Sequence, residues 1–401
     1  MKMKTTSRTL TAAETEAFGR ELDALRQELL SDLGARDVEH IRAVIRVTRQ
    51  TEAGGRLLLH FGLDPLSFAG GVAALATSKI LENMEVGHNV LHGQYDWTND
   101  PELNSYTYEW DTVCPASDWR HSHNYEHHTF TNVVGRDRDV GYGLLRVTPE
   151  QPWNVTFLAQ PISASLLALL FQWGVGVHDL RLDETITGKQ SWRTLWERGR
   201  PFARKATWQV LKDYAFYPGL ALFNAPRVAA GNFLANGIRN LWSFAIIFCG
   251  HFPDGVHVYR EEDTRDESRG AWYLRQLNGS ANIEGSRTLH LMSGHLSHQI
   301  EHHLFPDIPA SRYPEIAPRV RAICERYGQA YNSGSFLRQL GSVVAKIAVH
   351  SLPTRRPRAS ALPPKVAARP ERRLPSPPKT VASVSPRARA TTETMAHASV
   401  I

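Results

Sequence analysis

The octapeptide HSHNYEHH, residues His121–His128, decides how this sequence is interpreted. His123 and His127 lie four positions apart, so a helix would present both of them on one face. His128 follows directly and would point about 100° further round the same helix, towards a second metal ion. Imidazole is a ligand that suits iron, zinc and copper. The octapeptide therefore predicts a helix that binds metal.

Two further histidine clusters lie on either side of this octapeptide in the chain. The sequence GHNVLH contains His88 and His92, and the sequence HQIEHH contains His298, His302 and His303. Each cluster again has a pair of histidines four positions apart. One such pair often arises by chance on a surface helix, but three clusters, two of them ending in His-His, are typical of a metal site. We therefore predict three helices that together present a shell of imidazoles.

Polar residues near the clusters are candidates to hold the imidazoles from behind by hydrogen bonds. The alternative role for each of them is an ordinary turn or helix cap. These candidates are Asn89, Asp96, Asp111, Asp118 and Asn132.

Composition divides the chain into a balanced body and a basic tail. The 401 residues are enough for one large domain or two ordinary ones. Residues 351–401 contain nine prolines, ten basic and two acidic residues, a net charge of +8, and we interpret them as a disordered tail. The whole chain has a net charge of +6, so residues 1–350 are slightly acidic and give no indication of nucleic-acid binding. Cys114, Cys249 and Cys324 are isolated from one another, which fits a reducing compartment.

Apolar segments indicate contact with a membrane. Phe157–Val177 has 21 residues without a charge, which is long enough to span a bilayer. Residues 181–212 are rich in lysine and arginine, and the positive-inside rule places them in the cytoplasm. A single span would separate them from residues 93–150, so we expect one apolar segment to be re-entrant or to lie in the interface. The four segments are Leu66–Leu81, Phe157–Val177, Tyr214–Leu234 and Leu241–Cys249.

In order and spacing, the three clusters resemble the three histidine boxes of the membrane fatty-acid desaturases, HxxxH, HxxxHH and [HQ]xxHH. The surrounding phrases are more specific: ENMEVGHNVLHG at residues 82–93, NYEHHTFTN at residues 124–132 and HQIEHHLFP at residues 298–306. They look most like the actinobacterial acyl-CoA desaturases, including those of the mycobacterial stearoyl-CoA type. The resemblance covers residues 10–345 and leaves out the tail.

The resemblance implies two non-heme iron ions, with O2 as the oxidant, and it implies the iron ligands by position. His251 resembles the additional histidine that the family carries between boxes two and three. Gln299 occupies the first position of box three, so His298 and Gln299 are competing candidates there. His295 stands where close relatives would have asparagine. The sequence leaves open whether it is a metal ligand, a group that supports a ligand, or neither. The implied metal ligands are His88, His92, His123, His127, His128, His251, His298, His302 and His303.

The resemblance also implies a fold, a location and partners. The expected fold is an all-α, integral-membrane helical bundle with a cytoplasmic helical cap that carries the di-metal site. We expect an amphipathic helical extension over residues 1–50, a membrane desaturase domain over residues 51–345 and the tail over residues 351–401. The protein would lie in the cell membrane, with its active site facing the cytoplasm, and would act on a long-chain acyl group linked to CoA or to a membrane lipid.

Electrons are expected to come from NAD(P)H through a separate protein, either a flavin/iron-sulfur reductase or a ferredoxin. The sequence has no heme-binding His-Pro-Gly-Gly motif, so we expect no fused cytochrome b5 domain. It has no GxGxxG loop either, so flavin and nicotinamide are expected to belong to that partner.

Two other functions compete with desaturation. A membrane hydroxylase of lipids, alkanes or carotenoids would use the same metal site, and box spacing separates it poorly from a desaturase. A histidine-rich membrane metal transporter would carry ionisable residues inside its spans. Phe157–Val177 contains none, which argues against transport.

Overall fold

The computed structural model describes residues 7–354, which are predominantly helical. Residues 355–401, which make up most of the predicted tail, lie outside the described residues. The α-helices are α1 Ala12–Ser31, α2 Ala35–Phe61, α3 Pro65–Leu81, α4 His88–Leu91, α5 Ala116–Trp119, α6 His128–Phe130, α7 Gln160–Leu169, α8 Phe171–His178, α9 Leu182–Ile186, α10 Trp192–Leu211, α11 Tyr217–Leu220, α12 Ala225–His251, α13 Arg269–Asn278, α14 Arg287–Met292, α15 Gln299–Leu304, α16 Tyr313–Arg326 and α17 Phe336–His350.

Other regular segments connect these helices. The π-helical turns are Glu82–Gly87, Arg120–His127 and Lys212–Phe216. The 3-10 turns are Asp96–Thr98, Val140–Gly143, Val155–Ala159, Leu222–Asn224, Glu261–Asp263, Leu296–His298 and Ala310–Arg312. The strands form two short parallel pairs, β1 Val133–Val134 with β2 Tyr259–Arg260 and β3 Asn282–Glu284 with β4 Ser333–Ser335.

The N-terminal region forms two helices and packs on the rest of the protein. Thr11 and Glu14 form a capping box that starts α1, and the chain turns after Ser31 before α2 begins. Phe18, Leu22 and Leu25 are buried in a core that also contains residues of α13, α15 and α16. The boundary that we predict at residue 50 falls inside α2, which runs without a break from Ala35 to Phe61.

A membrane-spanning character is weakly indicated by helix length and composition. Within residues 7–354, Leu222–His251 is the one helix long and apolar enough to cross a membrane. It contains α12, which joins the second half of Tyr214–Leu234 to the whole of Leu241–Cys249.

The apolar segment Phe157–Val177, which the sequence predicts to be long enough to span a bilayer, is bent in the structure. Val155–Leu169 and Phe171–His178 are two helices that meet at an angle of 99°. The break occurs at Leu170, and the carbonyl of Leu169 accepts a hydrogen bond of 2.7 Å from the Asn240 side chain. An inserted polar side chain therefore accompanies the bend.

Helices α2, α3 and α12 pack side by side and position the histidines. Leu59 of α2, Leu75 of α3 and Val228 of α12 share one buried cluster. The packing is close at Gly231, where an added Cβ would lie 2.7 Å from the Leu59 side chain. Both α3 and α12 lead at their C-terminal ends to histidines, at His88 and His251.

Candidate metal centre

Box one lies at the end of a continuous helical stretch. Helix α3 passes through the π-helical turn Glu82–Gly87 into α4, which begins at His88. π-Helical turns often occur at functional sites. His92 caps α4, and the ring centroids of His88 and His92 lie 4.6 Å apart. The two histidines therefore share one side of the helix, as the sequence predicts.

Box two lies on the segment α5–π–α6. Its π-helical turn Arg120–His127 contains His123 and His127, whose rings stack with centroids 5.0 Å apart and an interplanar angle of 21°. His128 begins α6 and is buried. Its ring is nearly perpendicular to that of His127, at 83°, so the two adjacent histidines point in different directions.

Box three differs from its prediction at the first histidine. Helix α15 begins at Gln299, and His298 precedes it with φ −103° and ψ 55°, outside helical geometry. The expected shared helical face of His298 and His302 is therefore not formed. The His298 ring lies 4.6 Å from that of His290. His302 and His303 are fully buried.

The structure brings the boxes together into two groups of ligand atoms. In the first group, one ring nitrogen of each of four histidines lies within 4.8 Å of the others: His88, His92, His123 and His302. The second group consists of His127, His251 and His303. His128 forms a further group with His302 and His303, so it lies where the two groups meet. The expected ligand His298 is in none of these groups.

The side chain of Gln299 lies next to the second group. Its side-chain Nε2 lies 2.9 Å from Nε2 of His251, and its Oε1 is buried without a partner in the described part of the chain. An amide oxygen is a suitable ligand for a hard metal ion, and rotation of the amide by 180° would turn that oxygen towards His251. His295, by contrast, places Nδ1 2.8 Å from the Glu85 carboxylate.

Buried ring nitrogens without partners show that the groups fit metal ions. Nε2 of seven histidines is inaccessible to solvent and has no hydrogen-bond partner among residues 7–354. Two of them, His178 and His298, lie outside the groups, and five lie within them: His92, His123, His127, His128 and His302. A buried polar atom without a partner is unfavourable by about 1–3 kcal/mol. Metal ions bound between these nitrogens would satisfy them. The donor set, mostly neutral imidazole, suits iron, zinc or copper.

Groups behind the histidines fix the direction of several rings. Nδ1 of His127 lies 3.0 Å from the Asp137 carboxylate, and Nδ1 of His303 lies 3.0 Å from Oε1 of Gln276. These contacts favour the tautomer in which Nδ1 carries the proton and Nε2 is free to bind a metal. Asp139 approaches Nδ1 of His123 at 3.6 Å.

Sequence reasoning found one of these supporting residues. Of the five candidates, Asn89 is the one that hydrogen-bonds a clustered histidine in the described chain, with Oδ1 3.2 Å from Nδ1 of His88. Asp137 follows His127 by ten positions across an irregular turn. Its only sequence signal is an acidic residue after the box, which is too common to have identified it.

The protonation of the site suits metal binding. Burial, together with the nearby His123, lowers the pKa of His88 to about 3. Burial also lowers the pKa of His92, His128 and His302 well below the ordinary value of histidine. These imidazoles are therefore neutral at pH 7, which is the form that binds metals. Burial would also lower the pKa of His127, but the Asp137 carboxylate outweighs it and raises that pKa.

The histidines line a cavity. One part of its lining consists of residues of both groups, including His88, His127 and His251, together with Gln299. Its other walls are mostly apolar or aromatic: Met84, Trp110, Trp119, Tyr142, Phe171 and Phe252. Trp110 also borders an open groove whose wall is formed by α10. A long apolar chain is the kind of ligand that such a cavity can accept.

Comparison with known proteins identifies the family. A family model described as "Fatty acid desaturase" matches residues 64–335. The chain is 44% identical over 348 residues to the "NADPH-dependent stearoyl-CoA 9-desaturase" of Mycobacterium tuberculosis, covering 86% of this chain and 82% of that protein. It is 28% identical over 281 residues to the "sn-1 linoleoyl-lipid 6-desaturase" of Synechocystis, covering 65% of this chain and 74% of that protein. The three histidine boxes, their convergence and these matches agree, and the chain belongs to the fatty acid desaturase family of oxidoreductases.

Proposed function

We propose that this desaturase introduces a double bond at carbon 9 of a long-chain acyl-CoA, using O2 at two iron ions bound by the histidine boxes. The observation that carries the proposal is the convergence of box histidines with free, buried Nε2 atoms on the wall of a mostly apolar cavity. The 44% identity to the mycobacterial stearoyl-CoA 9-desaturase supports the substrate and the position of the bond.

The proposed ligands follow the two groups. The first iron is assigned to His88, His92, His123 and His302, and the second to His127, His251 and His303. His128 is assigned to the region between them. Gln299 is assigned to the first position of box three, for which Gln299 and His298 are the two candidates. When bound, the iron pair supplies the oxidant that side chains lack and that removal of hydrogen from an unactivated methylene requires.

The chain's own contribution is to place one C–C bond beside the metals and to exclude water. The aromatic and apolar cavity walls restrict a flexible acyl chain and thereby orient the reacting bond towards the metals. Asp137 and Gln276 hold the ligand rings in position through Nδ1.

We assign the CoA head group to the groove next to the cavity. The groove is lined by Arg200 and Arg204, which form no ion pair in the part of the chain that the structure describes, and by Lys205, which pairs with Glu109. Its lining also includes the acidic residues Glu82, Asp111 and Glu197. Arginine and lysine bind phosphate groups by charge-assisted hydrogen bonds. Because Trp110 borders both spaces, a phosphate-bearing head in the groove would lead directly to an acyl chain in the cavity.

The proposed location is the cell membrane, with the metal centre on the cytoplasmic side. Helix α12 and the bent pair α7–α8 supply apolar segments, and exposed apolar side chains lie on their outer surfaces, such as Leu166, Leu169 and Phe233. The basic residues of α10 support a cytoplasmic position for that helix under the positive-inside rule. The proposed electron source is NADPH through a separate reductase or ferredoxin, in agreement with the name of the mycobacterial relative.

Expression with a reductase, followed by lipid analysis, tests the proposal. The purified protein should contain two irons per chain, and membranes should gain 9-unsaturated acyl chains. The matched control is His302→Ala, which removes a ligand from the first group. A hydroxylated product would show that the protein is a hydroxylase and not a desaturase. Bound zinc or copper without iron would contradict the di-iron site.

A further inference from the structure

Arg239 is a buried cation in the middle of the long apolar helix α12. Arg239 is 2% exposed to solvent. A charged side chain inside such a helix is unfavourable and, where it occurs, usually faces the interior and has a function. Within residues 7–354, Arg239 has no carboxylate partner within 4.0 Å.

The nearby carboxylates are engaged elsewhere. Asp213 accepts a hydrogen bond of 3.0 Å from the buried Lys79, and Asp111 pairs with Lys212. Neither carboxylate contacts the Arg239 guanidinium. The charge of Arg239 is therefore not neutralised by a direct ion pair. A buried arginine usually has such a carboxylate partner.

Two asparagines aim the guanidinium. Nε of Arg239 donates to Oδ1 of Asn240 at 3.1 Å, and Nη2 donates to Oδ1 of Asn236 at 3.4 Å. The amide nitrogens of both asparagines donate to other groups. Nδ2 of Asn240 donates to the carbonyl of Leu169 at 2.7 Å, and Nδ2 of Asn236 donates to the Asp213 carboxylate at 2.8 Å. Because those donors are fixed, both amide oxygens must face the arginine.

Part of the donor capacity of Arg239 is unused. A guanidinium has five N–H groups, and the two asparagine oxygens accept from two of them. The remaining N–H groups have no acceptor in the described part of the chain. A rigidly aimed cation with free donors is a built recognition site for a strong acceptor oxygen.

Arg239 lines the same cavity as the histidines. Arg239, Asn240 and Ser243 line it together with His251 and Gln299. Arg239 precedes His251 by twelve positions on the same helix, which corresponds to about 18 Å along the helix axis. A long-chain acyl group with its methylenes at the histidines can therefore extend its polar end towards Arg239.

We propose that Arg239 donates hydrogen bonds to the carbonyl oxygen of the acyl group and thereby fixes which methylenes lie at the metal centre. This inference rests on the proposed function. It concerns the oxygen on carbon 1 of the chain, which a CoA thioester and a free carboxylate share. Asn236 and Asn240 are positioning residues that act through Arg239.

Binding to the metal-free protein tests the contact directly. The probes are stearoyl-CoA, stearate and S-octadecyl-CoA, a thioether of the same length that lacks the carbonyl oxygen. Binding is followed by the fluorescence of Trp110 and Trp119, which line the cavity. We expect the wild type to bind stearoyl-CoA at least about 10-fold more tightly than the thioether, the usual gain from a hydrogen bond to a charged group. Tight binding of stearate as well would extend the same contact to the free acid.

Substitutions assign the preference to this residue. Arg239→Met should bind stearoyl-CoA and the thioether equally, and Arg239→Lys should retain part of the preference. The matched control is Arg227→Met on the same helix, because Arg227 donates to Ser67 and to the Asp64 carbonyl and does not line the cavity. Equal affinity of the wild type for both CoA compounds would overturn the inference, and so would a preference that survives Arg239→Met.

The product distribution separates this inference from the proposed function. With iron and reductase present, Arg239→Met should raise KM by about 10-fold or more and spread the double bond over neighbouring positions. A wild type that makes no unsaturated product and binds no acyl chain would overturn the proposed function, and this inference with it. A wild type that desaturates, with an Arg239→Met variant that keeps the same KM and bond position, would overturn this inference alone.

Discussion

The indole of Trp119 stacks on the ring of His123, with centroids 4.4 Å apart and an interplanar angle of 19°. The same indole meets His88 and His92 edge-on, at 5.3 Å and 5.4 Å. One aromatic side chain therefore holds three of the four histidines of the first group in place.

Replacing Trp119 by leucine should weaken the first metal site. The three rings would gain freedom, and loss of such support typically lowers metal affinity or activity by roughly 10- to 100-fold. Trp119→Phe, which retains a stacking ring, should lose much less. Iron content after dialysis against a chelator measures the effect. The matched control is Trp192→Leu, since Trp192 is 73% exposed on α10; equal iron loss in both leucine variants would contradict the role of Trp119.

Asp137→Asn should weaken the second metal site. The carboxylate that accepts from Nδ1 of His127 would become an amide, which removes its charge and its fixed orientation of the ring. We expect roughly a 10- to 100-fold loss of metal affinity. Asp118→Asn is the control, because Asp118 bonds Ser117 and no clustered histidine in the described chain. Unchanged iron retention in Asp137→Asn would show that His127 does not need this partner.

Gln299 and His298 can be distinguished by single substitutions. Gln299→Ala should lower the iron content to about one per chain, because Gln299 contacts His251 of the second group. His298→Ala should keep both irons, since its ring contacts His290 away from the groups. Metal analysis by mass spectrometry decides between them. The opposite pattern would assign the open position in box three to His298.

The metal-free protein should lose stability in weak acid. The pKa of His88 is about 3 in the folded chain, whereas a histidine of the unfolded chain titrates near about 6.5. Between these values the unfolded state binds more protons, so the free energy of unfolding is complete above about pH 6.5 and decreases as the pH falls towards 3. Thermal unfolding in detergent between pH 7.5 and 5 measures the slope. His88→Asn should reduce the slope, and His121→Asn, at an exposed position, should not change it; an identical slope in His88→Asn would contradict the assignment.

Gly270→Ala should loosen α1 from α13. A Cβ at Gly270 would lie 2.0 Å from the backbone oxygen of Thr15, and backbone cannot move aside as a side chain can. Such overpacking reduces the free energy of unfolding by about 1–3 kcal/mol. Faster proteolysis within α1 and a lower Tm are the expected readouts. Gly341→Ala, where a Cβ meets nothing within 4 Å, is the control. A Gly270→Ala variant as resistant as wild type would show that α1 is not held there.

Sequence predicted the histidine boxes because helical spacing is a local property. It predicted the shared side of His88 and His92 correctly, and it failed for His298 because the start of α15 at Gln299 depends on tertiary packing. The bend at Leu170 also escaped prediction. No proline or glycine marks it, and the side chain that bonds the break, Asn240, lies far along the chain.

Supporting residues were the least predictable part of the site. Asp137 and Gln276 reach the histidines from irregular turns and from a distant helix. Their identity depends on how the chain folds back, and neither position has a periodic pattern around it.

The π-helical turn at Glu82–Gly87 has a consequence for engineering and for the evolution of the chain. A π turn accommodates one more residue than an α-helix needs, and deletion of a single residue there would restore regular α-helix. The turn absorbs that extra residue locally, so the helix after it would keep nearly the same rotation relative to α3. A deletion within the regular helix α3 would instead rotate everything after it by about 100°. His88 and His92 would then turn away from the other boxes, although neither residue had been altered. The π turn is therefore the place in this stretch where the chain can lose one residue and keep the metal shell complete.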